Sequence, residues 1–200
     1  MKNRTDLINY FIKKYNYKKY LEIGVFDPNR NFNDICLNYK IGIDPNIKSK
    51  STLLLTSDDY FRLSDDKFDI IFIDGLHIKE QVIKDIKNSI KCLNDNGVII
   101  VHDCNPKDEI SQKVPKETHH WNGNVWESFI YMRTKIDGFD FYVIDMDEGC
   151  GVIQQNNYNK KIQINHQINY ENFVKYKKEW LNLISVDDFL KLNQRKNNYG

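Results

Sequence analysis

The run Lys19-Tyr20-Leu21-Glu22-Ile23-Gly24-Val25-Phe26-Asp27-Pro28-Asn29 decides how the chain is read. Tyr20 to Ile23 is an apolar run of buried-strand length, interrupted only by the carboxylate of Glu22. Gly24 ends it, turn residues follow, and Asn29 or Asn31 caps a predicted helix over 32–37. A strand that ends in glycine and opens a helix builds the nucleotide pocket of open α/β sheets. Ligands there lie at the carboxyl ends of the strands, where strand order reverses.

The rest of the chain repeats this alternation. An amphipathic helix is predicted over 5–14, where Leu7, Ile8, Phe11 and Ile12 share a face. Strands follow at 39–44, 51–55, 68–73 and 98–101. A short helix through Leu63, capped by the run Thr56 to Asp59, and a helix at 78–93 are expected, with Asn94 to Gly97 as a turn. A polar loop spans 104–124, a helix 125–135, and two closing strands, 139–145 and 149–154, form an antiparallel hairpin. Beyond Gln155 the pattern weakens to helices at 170–184 and 186–192. The near-continuous apolar strands imply a mostly parallel sheet with helices on both faces, an α/β fold. One domain is expected over 1–200, with a core over 1–155 and a helical extension over 156–200.

Lys and Arg number 29 against 28 Asp and Glu, a net charge of +1. That balance leaves no electrostatic footprint for nucleic acid or an anionic membrane, so neither is an expected partner. The four cysteines, Cys36, Cys92, Cys104 and Cys150, form no CxxC pair, which argues against structural zinc. Residues 1–15 lack the apolar core of a signal peptide, and no run approaches the roughly 20 residues of a membrane span. A cytoplasmic protein is expected.

Polar residues recur at the strand ends: Asp44, Ser57 with Asp58, Asp74 with His77, and His102 with Asp103. Parallel strands bring these to one rim. Asp44 lies 20 residues after Gly24, the spacing at which a carboxylate accepts the ribose hydroxyls, although an aspartate before Pro45 also suits a plain turn. The Gly-x-Gly-x-x-Gly pattern is absent, since positions 26 and 29 are Phe and Asn. A pyrophosphate would lack its glycine cradle, which favours a nucleoside ligand without phosphates.

The segment 20–106 resembles the class I S-adenosylmethionine-dependent methyltransferases. Leu21-Glu22-Ile23-Gly24 is similar to their first motif and Gly42-Ile43-Asp44 to their second. Phe68 to Gly75 is similar to their fourth, and Gly97 to Asp103 to the strand after it. The resemblance implies a Rossmann-like three-layer sandwich with a seven-stranded sheet of order 3-2-1-4-5-7-6. It implies S-adenosylmethionine as cofactor, with Glu22 and Gly24 near the methionine, Asp44 on the ribose, Ser57 or Asp58 near the adenine, and Asp74 on the same rim. The chain departs from the family in keeping a single glycine, a form shared with sugar and small-molecule O-methyltransferases.

Asp74-Gly75-Leu76-His77 resembles the macrolide-sugar O-methyltransferases. There the aspartate binds a divalent metal and the histidine is the base, so Asp74 and His77 are the catalytic candidates. A helix cap or loop residue is the plainer reading of His77. The acidic pair that completes that metal site is here His102-Asp103, so Asp74, Asp103 and His102 are the metal candidates. Nitrogen suits Mg2+ poorly, and His102 also reads as a hydrogen-bonded residue beneath the site.

Thr118 to Trp126 places two histidines and two indoles beside Gly123. His119, His120 and Trp121 are the acceptor candidates, because indoles stack on sugar rings and histidines bond hydroxyls. A staple for the following helix is the alternative, and Trp126 reads as core. The aromatic tail, 170–180, reads as core or dimer surface, which admits a homo-oligomer. The function expected is methyl transfer to a hydroxyl of a small acceptor, a sugar or glycan precursor of the kind used in polysaccharide biosynthesis. The alternatives are a catalytically idle binding or scaffold protein, and a methyltransferase for a macromolecule.

Overall fold

The computed structural model describes residues 1–156 and 161–195. Helix α1 (Arg4–Tyr15) starts where the Asn3 side chain accepts from the Asp6 amide and stops at Asn16, which takes a left-handed conformation. It buries Leu7, Ile8, Phe11 and Ile12, as their spacing requires. Strand β1 (Lys19–Ile23) lies between β2 (Tyr39–Ile43) and β3 (Phe68–Ile73), all parallel, and β4 (Leu93–Val101) continues the parallel set. Strands β5 (Phe139–Ile144) and β6 (Cys150–Gln155) form the expected hairpin, with β6 antiparallel to β4.

The sheet order is β2-β1-β3-β4-β6-β5-β7. The expected strand 51–55 is reduced to one parallel bridge between Ile43 and Leu53. Leu53 N donates to Gly42 O and Asp44 N to Leu53 O, while Thr52 Oγ1 accepts the Gly42 amide in place of a backbone carbonyl. With that bridge at the edge, the order is the expected one, extended by a short seventh strand. This is β7 (Leu183–Ile184), parallel to β5, so the helix predicted over 170–184 ends early as α5 (Tyr170–Trp180). The remaining helices are α2 (Ser57–Leu63), α3 (Lys79–Cys92), α4 (Val125–Lys135) and α6 (Val186–Arg195). Residues 157–160 and 196–200 of the predicted extension lie outside the described residues.

Two further expectations are corrected. The helix over 32–37 is replaced by two 3-10 turns, Pro28–Arg30 and Phe32–Asp34. Asn31 turns inward instead of capping, and Lys40 Nζ donates to the carbonyls of Phe32, Asn33 and Ile35, which holds the tight turns. The turn 94–97 lies within β4 as a bulge: pairing jumps from Phe68–Leu93 to Ile70–Val98, with Asn96 at a φ of 60°.

Alternation along β1, β3 and β4 supplies two cores. Leu21, Ile23, Ile71, Ile73, Ile99 and Val101 face α3, α4 and α5, where Val82, Ile86, Trp126, Phe129 and Phe173 meet them. Tyr20, Ile70, Phe72, Val98 and Ile100 face α1 and α6, meeting Leu7, Phe11 and Phe189. The parallel strands therefore end together on one rim, between the two layers.

Candidate active site

On that rim a cavity of about 440 Å³ opens over the ends of β1, β2 and β3, within the range of small-ligand sites. Gly24, Asp44, Ser57, Asp58 and Asp74 all line it. Gly24 is required by position: its φ is +89°, and a Cβ would collide with the backbone of Asp74 and Gly75. The nearly buried Asp44 accepts from the amides of Phe26 (2.9 Å) and Asn46 (2.8 Å). Those bonds hold its carboxylate at the mouth and leave lone pairs for a ligand.

Glu22 is not among the lining residues. Its side chain points to the α1 face, where Tyr20 Oη (2.5 Å) and Asn31 Nδ2 (2.8 Å) donate to it. Burial raises its pKa to about 7. The wall also holds two residues that sequence reasoning passed over, Gln81 and Asp85. Asp85 is 1% exposed and accepts from Gln81 Nε2 at 3.0 Å, and burial raises its pKa to about 6. A signal existed: Asp85 sits on the buried stripe of α3 between Val82 and Ile86.

Beside the cavity, Asp74, His77, His102 and Asp103 converge as their strand-end positions predicted. His77 Nε2 lies 3.3 Å from Asp74 Oδ1, and its Nδ1 lies 3.3 Å from Asp103 Oδ2 and 3.0 Å from Trp121 O. Burial opposes a charge on His77, but the bond to Asp74 and the charges of Asp103 and Asp74 outweigh it and raise its pKa. His102 Nδ1 lies 3.3 Å from Asp74 Oδ1 and 3.2 Å from Asp103 Oδ2. Burial again opposes its charge, and Asp74, Asp103 and Asp147 together raise its pKa. Asp74 in turn is lowered, because the two imidazoles outweigh its burial.

Four contributors come from outside the predicted set. Arg4 Nη1 lies 3.1 Å from His102 Nε2 and 3.2 Å from Asp147 Oδ2. Asp147 and Glu148 follow β5 in left-handed conformations at φ 46° and 63°. Asn122, fully buried, donates to Asp103 Oδ1 at 2.5 Å. Asp147 and Glu148 fall in sequence between the two closing strands, and Arg4 just before the predicted helix 5–14; only the fold carries them to the rim.

The predicted acceptor residues divide. Trp121 stacks on His77, with centroids 5.4 Å apart and planes at 22°. Gly123, at φ +61°, lets this loop touch the His77 backbone, where a Cβ would not fit. His120 is exposed and paired with Glu148 at 3.0 Å, and His119 is exposed. Trp126 is core, fully buried, its Nε1 donating to Gln112.

A divalent cation finds three converging donors in Asp74 Oδ1, His102 Nδ1 and Asp103 Oδ2. His102 Nδ1 is buried and has no hydrogen-bond partner, although two carboxylate oxygens are near. An orphaned buried nitrogen between two carboxylates fits a cation. The imidazole departs from the all-oxygen shell that magnesium prefers.

The order of strands and this rim define the chain as having the class I S-adenosylmethionine-dependent methyltransferase fold. Residues 22–104 match the model of a family described as "methyltransferase domain". The chain superposes on a provisionally assigned caffeoyl-CoA O-methyltransferase from Staphylococcus aureus at a TM-score of 0.57 and 18% identity, covering 76% of this chain and 82% of that one. A Podospora anserina methyltransferase with bound SAH gives 0.56 and 14%, covering 76% and 78%. MycE, a methyltransferase of the mycinamycin biosynthetic pathway in complex with Mg, SAH and mycinamycin VI, gives 0.50 and 13%, covering 77% and 49%. No curated protein sequence matches the chain. Among the described residues, no helix is long and apolar enough to cross a membrane.

Proposed function

We propose that this chain is an S-adenosylmethionine-dependent O-methyltransferase acting on a small hydroxylated acceptor. One observation carries the reading: the Asp44-lined cavity opens directly beside the Asp74, His77 and Asp103 cluster, so a nucleoside cofactor and a proton acceptor would share one rim. Asp44 accepts the ribose hydroxyls, and Ser57, Asp58 and Gln81 meet the adenine end. When bound, the cofactor supplies an electrophilic methyl group on its sulfonium, and the protein supplies position and a base.

His77 Nδ1 donates to Trp121 O, which leaves Nε2 to take the proton of the acceptor hydroxyl. Asp74, 3.3 Å from Nε2, stabilises the imidazolium formed. Asp74, His102 and Asp103 would hold a divalent cation, whose chemistry there is Lewis acidity toward the acceptor oxygen. The indole face of Trp121, beside His77, supports a sugar-like acceptor. The four free cysteines suit a cytoplasmic setting. S-adenosylhomocysteine is expected to raise the melting temperature, and Asp44→Ala to abolish the shift. An unshifted wild-type melt removes the cofactor assignment.

One observation favours the idle-binder reading: both nitrogens of His77 already face protein acceptors. S-adenosylhomocysteine binding without turnover on any sugar acceptor, with His77→Gln changing nothing, would select it.

A further inference from the structure

The histidine at position 102 changes what the cation site can hold. Asp74 Oδ1, His102 Nδ1 and Asp103 Oδ2 come from the ends of two adjacent strands, β3 and β4, so the sheet itself fixes their spacing. Two donors about 2.1 Å from one ion and at right angles lie roughly 3 Å apart. His102 Nδ1 stands 3.2 and 3.3 Å from the two carboxylate oxygens. The angles give no well-aligned hydrogen bond to either, so the buried nitrogen lies between two carboxylates at ion-pair distance. Asn122 Oδ1 is a second buried oxygen without a partner, on a side chain already tied to Asp103.

The far side of the imidazole is also arranged. A histidine bound through Nδ1 carries its proton on Nε2 and gives it to a carboxylate behind it. Asp147 Oδ2 lies there, 3.5 Å from Nε2 and 3.2 Å from Arg4 Nη1. Arg4 competes for the same nitrogen. A guanidinium only donates, so its 3.1 Å contact with Nε2 and a proton on Nε2 exclude one another. With Nδ1 on a cation, Arg4 keeps Asp147, to which its own amide donates at 2.8 Å, and its Nε stays 4.0 Å from Asp74 Oδ2. Asp147 and Cys150 form a second grouping with His102, but Arg4 blocks its nitrogen and burial pushes the Cys150 thiol up to about 12.

We infer that this rim holds a borderline transition-metal dication in preference to magnesium, with His102 as the residue that selects it. Magnesium asks for six oxygens in a tight octahedron, whereas imidazole joined to carboxylates suits ions of the cobalt, iron and zinc kind. The inference adds to the methyl-transfer reading but does not need it, because the donors are in place without the cofactor.

The experiment is calorimetric titration of the full chain, in the absence of S-adenosylmethionine, with Co2+ and separately with Mg2+. Visible absorption of Co2+ reports nitrogen ligation. One Co2+ per chain is expected, bound about 100-fold or more tighter than Mg2+, following the donor preference for imidazole. His102→Asp is expected to narrow that ratio to about tenfold or less and to change the Co2+ spectrum. If His102→Asp does not fold, Asp103→Asn serves, with weakened binding of both ions and the wild-type preference kept. Equal or tighter binding of Mg2+ by the wild type overturns the inference. So does an absence of Co2+ binding, or Co2+ binding unchanged by either substitution. A melting shift with S-adenosylhomocysteine, measured in parallel on metal-free protein, reads the cofactor assignment independently.

Discussion

Asp85→Asn should stabilise the protein at neutral pH and leave it unchanged in acid. Asp85 is 1% exposed on the buried side of α3, and Gln81 Nε2 donates to its Oδ1 at 3.0 Å. Burial raises its pKa from 3.8 to about 6. The folded state therefore keeps this proton after the unfolded chain has released it. Its contribution is fully present below pH 3.8 and is lost as pH rises through about 6. A shift of about two units at 1.36 kcal/mol each gives roughly 3 kcal/mol at neutral pH, an upper figure. Asparagine has the same shape, keeps the acceptor for Gln81 and has no charge to desolvate. Urea unfolding of both proteins at several pH values is the assay. The difference in stability should be near zero at pH 3 and grow to about 2–3 kcal/mol in favour of Asp85→Asn by pH 7.5. A difference independent of pH would refute the reasoning, since it would mean that Asp85 ionises freely in the fold.

Other outcomes follow from the same geometry. Gly24→Ala is expected to lower stability by about 1–3 kcal/mol in urea unfolding, because its left-handed backbone and a Cβ collision with Asp74 act together. Trp126→Ala is expected to cost about 3–5 kcal/mol in the same assay, as it empties the fully buried contact with Phe173. Glu22→Gln should leave S-adenosylhomocysteine affinity within about twofold by calorimetry, since Tyr20 and Asn31 take its carboxylate away from the cavity. His77→Gln should remove turnover of S-adenosylmethionine while leaving binding of S-adenosylhomocysteine intact, a split between single-turnover rate and affinity.

Strand ends were the most legible part of the chain. Apolar runs closing in Asp44, Asp74 and Asp103 announced a parallel sheet and a polar rim, because parallel strands bring their carboxyl ends to one side. The helix over 32–37 was not legible, because Asn31 reads as a cap in sequence while Glu22, nine residues away, draws it inward. Strand 51–55 shrank to one bridge at Leu53, where the Thr52 hydroxyl takes the Gly42 amide that a backbone carbonyl would accept in a ladder. At the site, residues brought by distant elements stayed hidden. Arg4 and Asp147 are 143 residues apart and meet only because α1 and the β5–β6 turn flank the same rim. Asp85 alone left a trace, as a carboxylate on an apolar stripe.

The most direct test of the central claim is calorimetric binding of S-adenosylhomocysteine to wild type and to Asp44→Ala. Stoichiometric binding by the wild type is expected, weakened in the variant by roughly 10- to 150-fold, the loss of about 1.5–3 kcal/mol from hydrogen bonds to a charged acceptor. No binding by the folded wild type, or equal binding by Asp44→Ala, would contradict the assignment of this cavity to the cofactor.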